Sequence, residues 1–271
     1  MFQHDQKAMR YKILDSIKNR FSDSDVAVKV IMPVINTSRE GIASYGSSTT
    51  TVTVNNITAE FYIQSYEEVR HFWPYLIDKD LISDLLAELK PTDIFYDIGA
   101  HTGIFSCLTG QTITEGQVVA FEPVQININR LRENLRLNNT SAEINPVALS
   151  DESKLLEMDV DSNKPGTIGH FKKNIAEESE SINTVIGDDY IQKNNIPLPN
   201  VVKIDVEGVE CKVLRGLENH LTECRLIYAE ARDDFLQKYG DSEKELVGML
   251  QDMGFEVEYV DSNNLKATRD I

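Results

Sequence analysis

Two short acidic stretches hold the residues of this chain that could do chemistry. The first is Ile94-Phe95-Tyr96-Asp97-Ile98-Gly99-Ala100-His101-Thr102-Gly103. It reads as a buried strand that ends in an acid and breaks into a glycine turn. Gly99 is free to adopt a left-handed conformation, and Gly103 lets a helix from about Ile104 to Leu108 begin close to whatever lies over the turn. Glu122 comes 19 residues after Gly103, at the end of the apolar run Val118-Val119-Ala120-Phe121. That spacing suits a βαβ unit whose second strand offers a carboxylate to a ribose. The second stretch is Val201-Val202-Lys203-Ile204-Asp205-Val206-Glu207-Gly208-Val209-Glu210, another buried run opening into acids and a glycine.

The first stretch points to a nucleoside-bearing cofactor and discriminates among them. A dinucleotide site sets a pyrophosphate at the helix N-terminus and usually reads G-x-G-x-x-G. Here the pattern is Asp97-x-Gly99-x-x-x-Gly103. A carboxylate at the strand end repels a phosphate and suits an ammonium group. S-adenosylmethionine carries a ribose, an adenine and a methionine ammonium, with no phosphate, and it is the expected cofactor. A tight βα turn with Asp97 as a local cap would show the same residues. His101 lies in this turn, where it can touch the methionine carboxylate, act as a base, or serve as a turn residue tolerating unusual φ.

In the second stretch Asp205 ends a β-branched run, a costly place for a charge without a partner. Lys203 lies two residues earlier, on the same strand face, so the two can be a plain ion pair or part of a site. Ligands of open α/β sheets bind beyond the carboxyl ends of the strands. If this strand lies beside the first, Asp205 stands near Gly99 and the methyl donor. The expected catalytic set is therefore Asp205, as base or acceptor-orienting group, then Glu207, then Lys203. Glu210 needs no other role than an acid in a first helical turn. Asp151, after the third strand, can read the adenine amino group or be a loop residue. Glu230 ends the fifth strand, where it can face a substrate cleft. Asp205 and Glu207 alone are too little for a Mg²⁺ site, and no Cys/His set has zinc spacing. No metal is expected.

The elements that must position these residues follow from periodicity. From residue 93 the rhythm is strand, helix, strand, helix. Strands are expected near 94–98, 118–122, 143–147, 201–206 and 226–230, and helices near 103–111, 124–138, 208–221 and 243–252. Val124, Ile128, Leu131 and Leu135 give one helix its buried stripe. Ser242-x-x-Glu245 is a capping box. Such alternation predicts a parallel sheet with right-handed crossovers, and the segment 255–268, with its polar turn at 261–264, predicts a closing antiparallel hairpin. The polar stretch 150–195 reads as an insertion holding a hairpin and a short helix near 187–193. Before residue 90 the pattern is looser. A short helix is expected over 5–20, two to four strands over 26–63, and helical turns over 64–90 around the aromatic cluster Phe72, Trp73 and Tyr75. These divide the chain into a cap over 1–90 and a cofactor-binding domain over 91–271.

Composition bounds the partners. Lys+Arg is 27 against Asp+Glu 44, a net charge of −17. So acidic a chain argues against nonspecific binding to nucleic acid or to anionic membrane. Residues 1–10 hold no apolar core of a signal peptide, and no apolar run is long enough to cross a bilayer. Cys107, Cys211 and Cys224 lack C-x-x-C spacing and read as free thiols. A cytoplasmic protein without membrane insertion is the expectation.

Together Asp97-Ile98-Gly99-Ala100-His101-Thr102-Gly103, Phe121-Glu122-Pro123, Asn145-Pro146-Val147-Ala148-Leu149-Ser150 and Lys203 through Glu210 resemble, in order and context, the FkbM-type methyltransferases. The resemblance covers roughly 91–260. It implies a class I methyltransferase fold, Rossmann-like, with a seven-stranded sheet, S-adenosylmethionine as donor, and O-methylation of a hydroxyl on a sugar or secondary metabolite. It maps the cofactor turn to Asp97, Gly99 and Gly103 and the ribose acid to Glu122. The expected acceptor is a small molecule or glycan, with a uronic acid carboxylate as competitor to the hydroxyl. A nicotinamide-dependent oxidoreductase and a non-catalytic partner subunit are the other readings; the missing third glycine and the intact acids count against them.

Overall fold

Five apolar runs become five parallel strands because both of their faces are covered. The computed structural model describes residues 48–63, 68, 80–159, 165–166, 170–171 and 179–271. The helix expected over 5–20, any strand between 26 and 47, and the aromatic cluster at 72–75 lie outside the described residues. The parallel strands are β3 (Ile94–Ile98), β4 (Gln117–Phe121), β5 (Glu143–Asn145), β10 (Val201–Ile204) and β11 (Leu226–Glu230). A C-terminal hairpin, β12 (Glu256–Tyr259) and β13 (Asn264–Thr268), completes a seven-stranded sheet of order β12-β13-β11-β10-β3-β4-β5. β13 runs antiparallel to both of its neighbours. The first strand sits in the middle, beside β10, so the chain reverses direction across the sheet at β3. This is the class I methyltransferase order expected from the sequence.

Alternation along β3 assigns the two faces. Phe95 belongs to a core with Ile104, Leu108 and Leu131, and Tyr96 to a second core with Val202, Val213 and Leu250. The first core is covered by α1 (Asp80–Glu88), α2 (Ile104–Thr109) and α3 (Gln125–Leu137). The second is covered by α4 (Gly187–Asn194), α5 (Glu210–Gly216) and α7 (Glu243–Asp252); α6 (Asp233–Leu236) follows β11. The stripe Ile128, Leu131 and Leu135 is buried as its spacing predicts. The capping box also forms, with the Glu245 N–H donating to Ser242 Oγ at 3.3 Å.

A hairpin of β1 (Ser48–Val54) and β2 (Ile57–Ile63) turns at Asn55 and Asn56, both at positive φ. Its Val52, Val54, Ala59 and Phe61 enter the first core. The outer edge of β2 is held by Asn134 of α3 and by Asn138, the residue that caps its C-terminus. Asn138 accepts from the Glu60 N–H at 2.7 Å and donates to the Glu60 carbonyl at 2.7 Å, while Asn134 accepts from the Tyr62 N–H at 3.0 Å.

Two elements depart from expectation. The strand expected over 143–147 stops at Asn145, where Pro146 offers no N–H and Val147 N closes a tight turn on the Asn145 carbonyl at 2.9 Å. The chain then enters a separate sheet as β6 (Ala148–Ser150). The expected hairpin of the insertion is larger than a hairpin: β7 (Lys154–Asp159), β8 (His170–Phe171) and β9 (Ser179–Ile186) join β6 in a four-stranded sheet of order β6-β9-β7-β8. Among the described residues no helix is long and apolar enough to cross a membrane.

Candidate functional site

The carboxyl ends of β4, β3, β10 and β11 form two rows of residues on the sheet face that α2 covers. In the inner row, register sets Ala120, Asp97, Lys203 and Tyr228 side by side. Asp97 is fully buried, and its Oδ2 accepts from Ser106 N at 3.0 Å and Ser106 Oγ at 2.6 Å. Lys203 Nζ lies 3.6 Å from Asp97 Oδ1, 3.5 Å from Asp205 Oδ2, and donates to the Gly99 carbonyl at 3.1 Å. It also stands over the Phe105 ring at 4.9 Å. Burial alone would lower the Lys203 pKa; the carboxylates of Asp205 and Asp97 outweigh it and hold the ammonium above its ordinary value.

One step outward the same register gives Glu122, Gly99, Asp205 and Glu230. The ladder continues into this row, since Asp205 N donates to the Ile98 carbonyl at 3.1 Å. Gly99 is the gap between two acids. A Cβ there would stand 1.9 Å from the Asp205 carbonyl oxygen, and φ is +79°. Glycine is required by contact and by conformation. Gly103, at φ +90°, lets α2 begin where a Cβ would meet Leu131 at 2.3 Å.

Glu122 is 4% exposed. Its Oε2 accepts from His101 N at 2.9 Å and its Oε1 from Val124 N at 3.0 Å. Burial pushes its pKa up to about 7, against the pull of the Val124 and His101 amides and of Asn127. His101 takes φ +50° and so serves the turn through its backbone. Asp205, just past the end of β10, has a side chain 26% exposed. Glu207 sits in the next turn at φ +60°, a conformation that costs a non-glycine residue about 1–2 kcal/mol. Burial, then the Asp205 charge, pushes Glu207 up to about 7; Arg232 and Lys203 oppose the rise. Glu210 closes this turn by accepting from Val206 N and Gly208 N, both at 3.1 Å, and burial holds it at about 7 despite those amides.

The structure thus brings Asp97, Gly99, His101, Gly103, Glu122, Lys203, Asp205 and Glu207 to one end of the sheet. Asp151 stands apart from them in its contacts, with Oδ2 accepting from Arg215 Nε of α5 at 3.0 Å. Sequence reasoning missed Ser106 and Asn127. Their signal was a polar residue at a core-facing helix position, and both are buried here at 0% and 1% exposure. Among the described residues no group of three or more His, Cys, Asp or Glu side chains is placed to hold a metal ion.

The raised acids have a thermodynamic consequence. Glu122, Glu207, Glu210 and Glu230 each bind a proton more tightly folded than unfolded. Their contribution to stability is complete below the ordinary Glu range and is lost as pH rises through about 7 and then about 9. Each unit of pKa difference is worth about 1.4 kcal/mol. The melting temperature should fall by roughly 5 °C or more between pH 6 and pH 9, at the usual few degrees per kcal/mol. A flat melting profile over that range would show these carboxyls to be solvated.

Comparison with known proteins gives consistent matches. A family model described as the methyltransferase FkbM domain matches residues 97–257. The hexuronic acid methyltransferase AglP of Haloferax volcanii is 30% identical over 177 residues, covering 65% of this chain and 72% of its own. The 31-O-demethyl-FK506 methyltransferase FkbM of Streptomyces tacrolimicus is 26% identical over 200 residues, covering 63% and 75%. The crystal structure of methyltransferase FkbM from Methylobacillus flagellatus aligns with a TM-score of 0.46 at 15% identity, covering 69% of this chain and 46% of that one. The chain therefore spans less than half the length of that solved protein.

Proposed function

Because this chain belongs to the FkbM methyltransferase family, we propose that it transfers a methyl group from S-adenosylmethionine to an oxygen of a carbohydrate acceptor. The observation that carries this reading is the outer row, in which Gly99 separates Glu122, just past β4, from Asp205, just past β10. The chemistry of the donor set fits the cofactor. Carboxyls from four elements line the end of the sheet, and the buried cation among them, Lys203, is already paired with Asp97 and Asp205. A pyrophosphate would be repelled there, whereas a sulfonium and an ammonium are favoured.

S-adenosylmethionine supplies an electrophilic methyl group. Glu122 would hold the ribose hydroxyls with the lone pairs left free by the His101 and Val124 amides. The backbone of the turn from Gly99 to Gly103 would face the methionine moiety, and Asp97 braces that turn from below through Ser106 and Lys203. Asp205 takes the proton of the acceptor hydroxyl as the methyl group moves, and alignment supplies much of the rest. Lys203, 3.5 Å away, would hold the Asp205 side chain in place. Glu207 stands next in the turn as a second acceptor contact. Asp151 would contribute to the adenine end only if freed from Arg215.

A carbohydrate is favoured because the relative AglP is named for hexuronic acid. A sugar acid offers hydroxyls and a carboxylate. The acids around Asp205 favour the hydroxyl, because an anionic acceptor group beside them is repelled and a carboxylate needs no base. The test supplies tritiated S-adenosylmethionine with methyl β-D-glucopyranoside or methyl β-D-glucuronoside, followed by mild alkali. Alkali-stable label on the sugar supports the reading. Alkali-labile label moves the acceptor to the carboxylate, and no label on either sugar removes the carbohydrate assignment.

Cofactor affinity should depend on Glu122 and on pH together. Ribose hydroxyls donate to the ionised carboxylate, so S-adenosylhomocysteine should bind more tightly at pH 8 than at pH 6, across the Glu122 pKa of about 7. Glu122→Ala should cost about 1.5–3 kcal/mol of binding and flatten that pH dependence. Calorimetry reads both; an unchanged dissociation constant would leave Glu122 as a brace for the turn only.

A further inference from the structure

The row that holds Asp205 holds one more acid. Extending the register of β10 and β11 by one residue sets Glu230 beside Asp205, on the side away from Gly99. Strand parity turns both side chains to the face covered by α2, since Tyr228 and Leu226 already belong to that core. Glu230 Oε2 is withdrawn from solvent and has no hydrogen-bond partner among the described residues. The charged groups facing it are Lys203 and Asp205 at the end of β10, Glu207 in the following turn, Glu210 of α5 and Arg232 before α6. β13 places uncharged Asn264 opposite it.

Two carboxyl groups that share a partly buried site oppose each other's ionisation, and the one without a cation beside it is the one favoured to keep its proton. Asp205 has the Lys203 ammonium at 3.5 Å; Glu230 makes no ion pair among the described residues. The proton therefore stays on Glu230. Burial, then the charges of Asp205, Glu207 and Glu210, push it up to about 9.

We propose that Glu230 is a further acceptor-binding residue, a carboxylic acid whose O–H donates to the sugar oxygen next to the one that is methylated. The inference rests on the methyl-transfer reading above. Adjacent strands lie about 4.8 Å apart, a separation that two neighbouring oxygens of one sugar ring bridge with a hydrogen bond each. Asp205 accepts from the reacting hydroxyl, and Glu230 donates to its neighbour. The pair thereby selects an acceptor with vicinal oxygens over an isolated alcohol. An ionised Glu230 can only accept, so this recognition is present below about pH 9 and lost above it.

Three measurements test this on the full chain. Infrared spectra between pH 7 and 10 should show a protonated carboxyl band that titrates near pH 9 and is missing in Glu230→Gln. With methyl β-D-glucopyranoside and methyl β-D-glucuronoside as acceptors, Glu230→Gln keeps a donor and should hold KM within about threefold at pH 7.5 while losing the alkaline fall in activity. Glu230→Ala should raise the acceptor KM about tenfold, the scale of one lost hydrogen bond in a buried site. S-adenosylhomocysteine binding reports folding and should match the wild type in both variants. Absence of the infrared band, an unchanged KM in Glu230→Ala, or equal damage in Gln and Ala at pH 7.5 would each overturn the proposal. A wild type that binds S-adenosylhomocysteine but methylates neither sugar would sink the carbohydrate reading itself and this inference with it.

Discussion

If Asp205 is the general base proposed above, Asp205→Asn is expected to lower turnover by roughly 10²-fold or more, the scale of a lost general base, and to leave S-adenosylhomocysteine affinity within about twofold of the wild type. The amide keeps the shape of the side chain and cannot take the acceptor proton. The fold should survive, because Lys203 retains Asp97 at 3.6 Å and the Gly99 carbonyl at 3.1 Å. Removing the Asp205 charge also relieves the repulsion that raises Glu207 and Glu230. Any residual activity should therefore show its alkaline fall at lower pH than the wild type. Single-turnover rates with pre-bound cofactor separate chemistry from product release. Near wild-type single-turnover rates in Asp205→Asn would transfer the base role to another group.

Lys203→Met is expected to damage stability more than any other single change at the site. It leaves Asp97 fully buried with no cation against its carboxylate. Breaking a buried pair by removing one partner costs about 3–5 kcal/mol, a fall in melting temperature on the order of 10 °C for a chain of this size. The double variant Asp97→Asn/Lys203→Met should recover a large part of that loss, because the uncompensated charge goes with the lysine. Calorimetric or optical melting of the four proteins gives the coupling energy directly. A single variant that melts within about 2 °C of the wild type, less than the shift expected from 1 kcal/mol, would mean that the Lys203–Asp97 contact adds little to stability.

The sheet order was legible because its strands are near-continuous apolar runs separated by helical stripes. The hairpin at 256–268 was legible from its polar turn. The insertion was harder to read. β7 and β9 alternate polar with modest apolar residues, and Leu155 stands 65% exposed, so no buried face announces a four-stranded sheet. The site itself divides in the same way. Residue types and spacing located Glu122 and Asp205 in sequence, but not the row each would occupy. The sequence expectation sets Asp97 at the methionine ammonium; in the structure its side chain is fully buried, accepts from Ser106 N and Oγ and lies 3.6 Å from the Lys203 ammonium, with Gly99 one row further out. Whether a strand-end acid is the last buried residue or the first open one depends on where the next helix lands, which a single sequence does not state. Glu210 shows the reverse: an acid in a first helical turn was read as helix-stabilising, and its carboxylate does close the turn through Val206 and Gly208.

The two asparagines that grip β2 bear on how this protein behaves in concentrated solution. A strand at the border of a sheet is a template on which other chains can stack, and proteins usually blunt it with charge, proline or a bulge. Here Asn138 places a side-chain amide where a neighbouring peptide would lie, answering both the N–H and the carbonyl of Glu60, and Asn134 takes the N–H of Tyr62. The border is filled by a counterfeit strand supplied from within the chain. A run such as Ile57–Ile63, apolar enough to recruit copies of itself, is thereby withdrawn from aggregation for as long as α3 stays folded.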